Sequence, residues 1–215
     1  MTVRTRAILS LIINAGVFLA TTTIVITSLF IKSEILEHSY HTFMFFTTDS
    51  NILTAIASAL VMICEIKILQ GKRTTVARAF TLLKYAGVVG LMLTFFTVLC
   101  LLIPIYGIAM EWGGTGLHMH VLAPVLSFVS FVFLEEHTKL RRRDVFIGIL
   151  PVLVYGAVYF LQVVILNNWM DFYAFNSGGK WYLIMPLIIT LSFEMSLFVR
   201  FLRNRIASRQ KAKKS

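Results

Sequence analysis

Apolar side chains dominate six long stretches of this chain, and short polar or charged segments separate them. The stretches cover 7–31, 43–69, 79–105, 117–135, 145–166 and 181–202. Each is long enough to cross a hydrocarbon core of about 30 Å, which needs about 20 helical residues. Backbone groups in lipid must be bonded within their own segment, so the pattern predicts helices. The expected fold class is all-α, a polytopic membrane bundle of six transmembrane helices followed by a basic tail over 203–215. The first stretch is expected to be retained rather than cleaved as a signal peptide. It is too long, and no small-residue cleavage site precedes Lys32 and Glu34. Short hairpins predict antiparallel neighbours for the second and third helices, and for the fourth and fifth.

Composition agrees with this pattern. Of 215 residues, 58% are hydrophobic and 14% charged, whereas a soluble domain is about one quarter charged. The net charge of +10 raises the question of a nucleic-acid partner, and the positions of the cations answer it. Arg4 and Arg6 lie before the first span. Lys67, Lys72, Arg73, Arg78 and Lys84 are assigned to the second-to-third connection, and Lys139, Arg141, Arg142 and Arg143 to the fourth-to-fifth. Arg200, Arg203, Arg205, Arg209, Lys211, Lys213 and Lys214 lie at the carboxyl end. Only Lys32 and Lys180 belong to the opposite side. The positive-inside rule then predicts both termini in the cytoplasm of a cell with a multi-pass plasma-membrane protein. The basic charge reads as topology and attraction to anionic lipid, with no nucleic acid involved. Glu65, Glu135, Glu136 and Asp144 are expected to pair with the arginines at that side, and Glu194 lies a turn or two inside the last span.

Polar residues inside spans are costly, so their placement carries information. The second span opens Phe45-Phe46-Thr47-Thr48-Asp49-Ser50-Asn51. Thr47, Asn51, Thr54 and Ser58 share one helical face, with Ser50 beside it, and that face must point into the bundle. The fourth span opens with His118 and His120 ahead of Pro124. His120, Ala123, Ser127 and Ser130 share a face, and His118 points elsewhere. A histidine beside a hydroxyl cluster can act as a general base near neutral pH. Tyr155, Tyr159 and Gln162 form a second polar stripe expected to line the same cavity. Tyr173 and Asn176 stand in the last outer connection. Trp112, Trp169 and Trp181 fall where an interfacial aromatic belt belongs. Cys64 and Cys100 have neither metal nor redox spacing and read as packing residues. No cofactor and no metal are expected; a haem held by His41 with His118 or His120 is the weaker reading.

The Phe-Phe-Thr and Ser-Asn elements heading the second span, His120 to Pro124 heading the fourth, and Phe172-Tyr173-Ala174-Phe175-Asn176 together resemble the androgen-induced six-span membrane hydrolases and their bacterial relatives. Span count, topology and motif order extend the resemblance over most of the chain. It implies an intramembrane lipid-ester hydrolase with Thr47 as nucleophile and His120 as base, acting on a membrane lipid or fatty acyl ester near the extracytoplasmic side. Thr48 and His118 remain alternatives at each position. Such a threonine needs a base, and the base needs a third group to orient it. Asp49 or Asn51 would orient the histidine. Ser50, Asn51 or Tyr173 would donate to the oxyanion. The competing reading is a small transporter or lipid-binding protein using the same polar cavity, for which a homodimer would supply the missing size.

Overall fold

The computed structural model describes residues 1–30, 39–136 and 138–212. Ile31, Lys32 and Glu34 at the end of the first expected span, and Lys213 and Lys214 of the tail, lie outside the described residues.

Six apolar helices make up the bundle. They are α1 (Val3–Phe30), α2 (Phe46–Leu69), α3 (Arg78–Tyr106), α4 (His118–Leu134), α5 (Asp144–Ile165) and α6 (Trp181–Ala212). Five of them are long and apolar enough to cross a membrane, and α4 is a shorter apolar helix. A 3-10 turn at Ser39–Met44 precedes α2, so the helix starts three residues later than 43. A five-residue helix, Ile108–Trp112, follows α3. The last helix extends well past 202, and Arg203, expected in the tail, is 2% exposed within it.

Wide π turns interrupt three of the helices, at Val98–Leu102 in α3, at both ends of α4 (His118–Leu122 and Ser130–Leu134), and at Leu161–Ile165 in α5. Proline accounts for one of them directly. Pro124 lacks the N–H that would bond the His120 carbonyl four residues back, and the π turn just before it is closed by the Ala123 N–H donating to the His118 carbonyl.

The outside of the bundle is apolar, and its inside mixes apolar side chains with hydroxyls and amides. Ile12, Leu19, Phe146 and Leu183 are exposed, while Ser10, Asn14, Thr54, Ser58, Ser127 and Ser130 are buried. The exposed apolar surface suits a lipid solvent, where interior hydroxyls and amides serve as interhelical glue.

Helix α3 is the central element and packs on α2, α4, α5 and α6, while α1 packs on α2 and α4. The expected α2–α3 pairing is present. The expected α4–α5 pairing is not: α5 rests on α3 and α6 instead. The reason lies in the connection between α4 and α5. The Asn204 side chain of α6 accepts from the Leu140 N–H at 2.9 Å and donates to the Leu140 carbonyl at 2.9 Å. That pulls the chain across α6 before α5 begins.

Arg6 pairs with Glu136, Arg78 holds Asp144 through two bonds of 2.7 and 2.8 Å, and Arg203 donates to the Glu135 carbonyl at 2.8 Å. These contacts gather the start of α1, α3 and α5 and the end of α4 and α6 into one basic end. Two charged residues depart from the expected surface pairing. Lys84 lies inside α3 with no exposure, so it belongs to the bundle core and not to a hairpin. Its ammonium donates to Asn14 Oδ1 at 2.8 Å and Ser58 Oγ at 2.5 Å. Asn14 in turn donates to Ser10, Ser130 and Glu135. Glu65 is 1% exposed, has no arginine partner among the described residues, and faces Glu135 and Lys84. A hydrogen-bonded charge network therefore ties α1, α2, α3 and α4 together below the surface of the basic end.

Candidate functional site

The opposite, aromatic end holds the candidate site. The head of α2 buries Thr47, Thr48, Ser50 and Asn51. Asn51 Nδ2 donates to the Thr47 carbonyl at 2.8 Å and to the Met119 carbonyl at 3.0 Å, locking α2 against α4. Ser50 bonds the Thr47 carbonyl and the Thr94 hydroxyl. Between these helix heads, α1 and the connections at this end lies a cavity of about 330 Å³. Thr47, Thr48, Glu111, His120 and Tyr173 all line it.

His120 is held from one side. Its Nδ1 lies 2.7 Å from the Glu111 carbonyl and 3.3 Å from Glu111 Oε2. A carbonyl only accepts, so Nδ1 carries the proton and Nε2 is left as the acceptor. That is the tautomer a general base requires. Glu111 reaches this position on the short Ile108–Trp112 helix, and Gly116 allows it. A Cβ on Gly116 would lie 2.3 Å from the Glu111 carbonyl oxygen. The Glu111 carboxyl is 3% exposed, and burial raises its pKa above the ordinary value.

Tyr173 closes the cavity from the last connection. Its hydroxyl accepts from the Phe46 N–H at 3.1 Å, with the Thr47 hydroxyl beside it. Burial pushes this phenol up to about 12, so it stays protonated and able to donate. Asp171 shapes the loop: it accepts from the Phe175 and Asn176 N–H groups at 2.8 and 2.7 Å and from the Tyr159 hydroxyl at 3.2 Å. Thr47 and His120 share the cavity, and no direct hydrogen bond joins them among the described residues.

Neither a family model, nor a curated protein, nor a solved structure matches this chain.

Several other candidate residues are placed apart from Thr47. His118 Nε2 lies 3.1 Å from Thr21 Oγ1 of α1, so it faces a helix contact and does not line the cavity. Asp49 points to the other side of α2, into a separate groove that it shares with Tyr155. Thr54 packs on α3, where a Cβ on Gly87 would sit 2.5 Å from its hydroxyl. Ser127 is buried outside the cavity, and its hydroxyl has no hydrogen-bond partner among the described residues. Tyr159 belongs to an aromatic cluster with Trp169 and Phe175. Gln162 caps the following loop by accepting from Asn168 at 3.0 Å. The Tyr155–Tyr159–Gln162 stripe and Asn176 thus lie outside the Thr47 cavity. Among the described residues no group of three or more His, Cys, Asp or Glu side chains could hold a metal.

The carboxylate beside His120 escaped the sequence reading. One signal for it existed: Glu111 is the sole acidic residue between Glu65 and Glu135, in a connection otherwise rich in glycine.

Proposed function

We propose that this integral membrane protein is an intramembrane acyl-ester hydrolase of the kind the family resemblance implies. Thr47 is its nucleophile, His120 its base, Glu111 the group that orients the base, and Tyr173 an oxyanion donor. The observation carrying this reading is the shared cavity, with His120 held through Nδ1 by Glu111 while Nε2 stays unprotonated. The Thr47 hydroxyl attacks the ester carbonyl and its proton passes to His120 Nε2. The alkoxide of the tetrahedral intermediate accepts from the Tyr173 hydroxyl. The intermediate then expels the alcohol, which takes the proton from His120, and water releases the acyl group by the same relay. Ser50 and Asn51 are committed to carbonyls and do not serve the oxyanion. The basic end faces the cytoplasm, so the cavity opens toward the extracytoplasmic leaflet.

Labelling by a fluorophosphonate probe tests this. Wild type is expected to label, and Thr47→Ala and His120→Ala to lose the label, with Thr48→Ala as the alternative nucleophile. Undiminished labelling in both Thr47→Ala and His120→Ala would discard the hydrolase reading. The buried Lys84–Glu65–Glu135 network favours a second reading, transport or lipid binding without catalysis, since intramembrane charges often mark solute paths. Solute flux in proteoliposomes that survives Thr47→Ala would support it.

A further inference from the structure

On the other side of α2 from Thr47 lies a larger cavity, an open groove of about 690 Å³. Its floor is α3, through Leu82, Leu83 and the small Ala86. One wall is α2, through Phe46, Asp49 and Leu53, at helical spacing. The other is α5, through Ile147, Leu150, Val154 and Val158, again one face of a helix. From Ile147 to Val158 the rise is about 16 Å, close to half of a 30 Å hydrocarbon core and so the depth of one leaflet. The groove is thus a slot one lipid tail long.

Among the described residues Asp49 is the sole charged side chain lining it. The two polar neighbours are already engaged: the Tyr155 hydroxyl donates to the Met44 carbonyl at 2.6 Å, and Ser50 bonds Thr47 and Thr94. Among the described residues Asp49 has no cation and no hydrogen-bond donor of its own. A carboxylate in an apolar, membrane-facing slot is costly unless a cation joins it. The same end of the slot carries aromatic rings. Phe43 and Trp169 line it, and Phe46 and Tyr155 pack with ring centroids 5.0 Å apart. Aromatic faces around a carboxylate are the environment that binds ammonium groups.

We propose that this groove binds a single-chain amphiphile with an ammonium head, its head at Asp49 and its tail along α3 and α5 toward the basic end. The site is separate from the Thr47 cavity and independent of the hydrolase proposal.

The test uses the full chain in nanodiscs of zwitterionic lipid, with dodecylamine, dodecanol and dodecanoate each carrying a terminal diazirine. The amine is expected to label better than the alcohol or the acid by about tenfold, the size of a partly desolvated cation contact. Its crosslinks should fall on peptides containing Leu82–Leu83 or Ile147–Leu150. Asp49→Asn should level the three probes, and Ala86→Phe, which fills the floor, should reduce them all. Both variants are compared at equal thermal stability and equal monodispersity with wild type; where Asp49→Asn does not fold, Asp49→Glu, which keeps the charge, should keep the amine preference. Equal labelling by the three probes, or an amine preference that survives Asp49→Asn, would overturn the proposal.

Discussion

Replacing Lys84 by methionine is expected to destabilise the bundle by about 3–5 kcal/mol, the cost of breaking a buried ion network on one side. Lys84 has no exposure, and its ammonium supplies bonds to Asn14 Oδ1 and Ser58 Oγ. Hydrogen bonds from a charged donor contribute about 1.5–3 kcal/mol each. Methionine keeps most of the volume but supplies neither bond, and it removes the ammonium that Glu65 and Glu135 both face. Adding Glu65→Gln to Lys84→Met removes one of those carboxylate charges. The double variant should therefore recover part of the loss, with a coupling of about 0.5–3 kcal/mol. Equilibrium unfolding in mixed micelles with increasing SDS, followed by far-ultraviolet circular dichroism, measures both quantities. A Lys84→Met protein within about 0.5 kcal/mol of wild type, or a double variant that simply sums the single losses, would refute the reasoning.

The aromatic end offers further tests. The folded-state pKa of Glu111 lies above the ordinary 4.5 because of burial, so the fold favours its protonated form. Ionised Glu111 therefore weakens the fold above that pKa, and the penalty fades as pH falls toward 4.5. The thermal midpoint of wild type minus that of Glu111→Gln should rise on acidification from neutral pH; a flat or opposite trend would contradict it. Gly116→Ala should cost about 1–3 kcal/mol by pushing the Glu111 carbonyl away, and fluorophosphonate labelling should fall with it. Asp171→Asn places an amide where two backbone N–H groups donate. It should loosen the Tyr173 loop, measured as faster amide exchange at Phe175 and Asn176. In a cysteine-free background, Ser208→Cys should react with an impermeant maleimide only from the cytoplasmic side and Ser177→Cys only from outside; the reverse pattern would invert the bundle.

The helices were legible because lipid-facing and bundle-facing positions are both largely apolar, so their lengths stand out without a partner. The buried face of α2 was legible too, since Thr47, Asn51, Thr54 and Ser58 repeat at helical spacing and all prove buried. What stayed hidden depends on residues brought together from different helices. Lys84 lies six residues from the start of α3 and reads as one more hairpin cation. Only Asn14 from α1 and Ser58 from α2, meeting it in space, make it a core residue. Arg203 reads as a tail for the same reason, until the Glu135 carbonyl accepts from it. Asp49 and Thr47 are two residues apart in sequence and so about 200° apart around the helix, and a cluster that looked single divides between two cavities. His120 lines the Thr47 cavity, and its partner Glu111 comes from a connecting turn that no periodicity describes.

The position of Lys84 also bears on how the chain is assembled. While α3 stands by itself in the bilayer, its ammonium can reach the nearby headgroup region by stretching along the helix. It has no reason to turn inward until Asn14 and Ser58 are in place, and Glu135 is synthesised about fifty residues later. Membrane entry and final docking are therefore separate events for this helix. A cell that makes the first three spans without the fourth would hold Lys84 facing Asn14 and Ser58 but without the Glu135 carboxylate that follows α4.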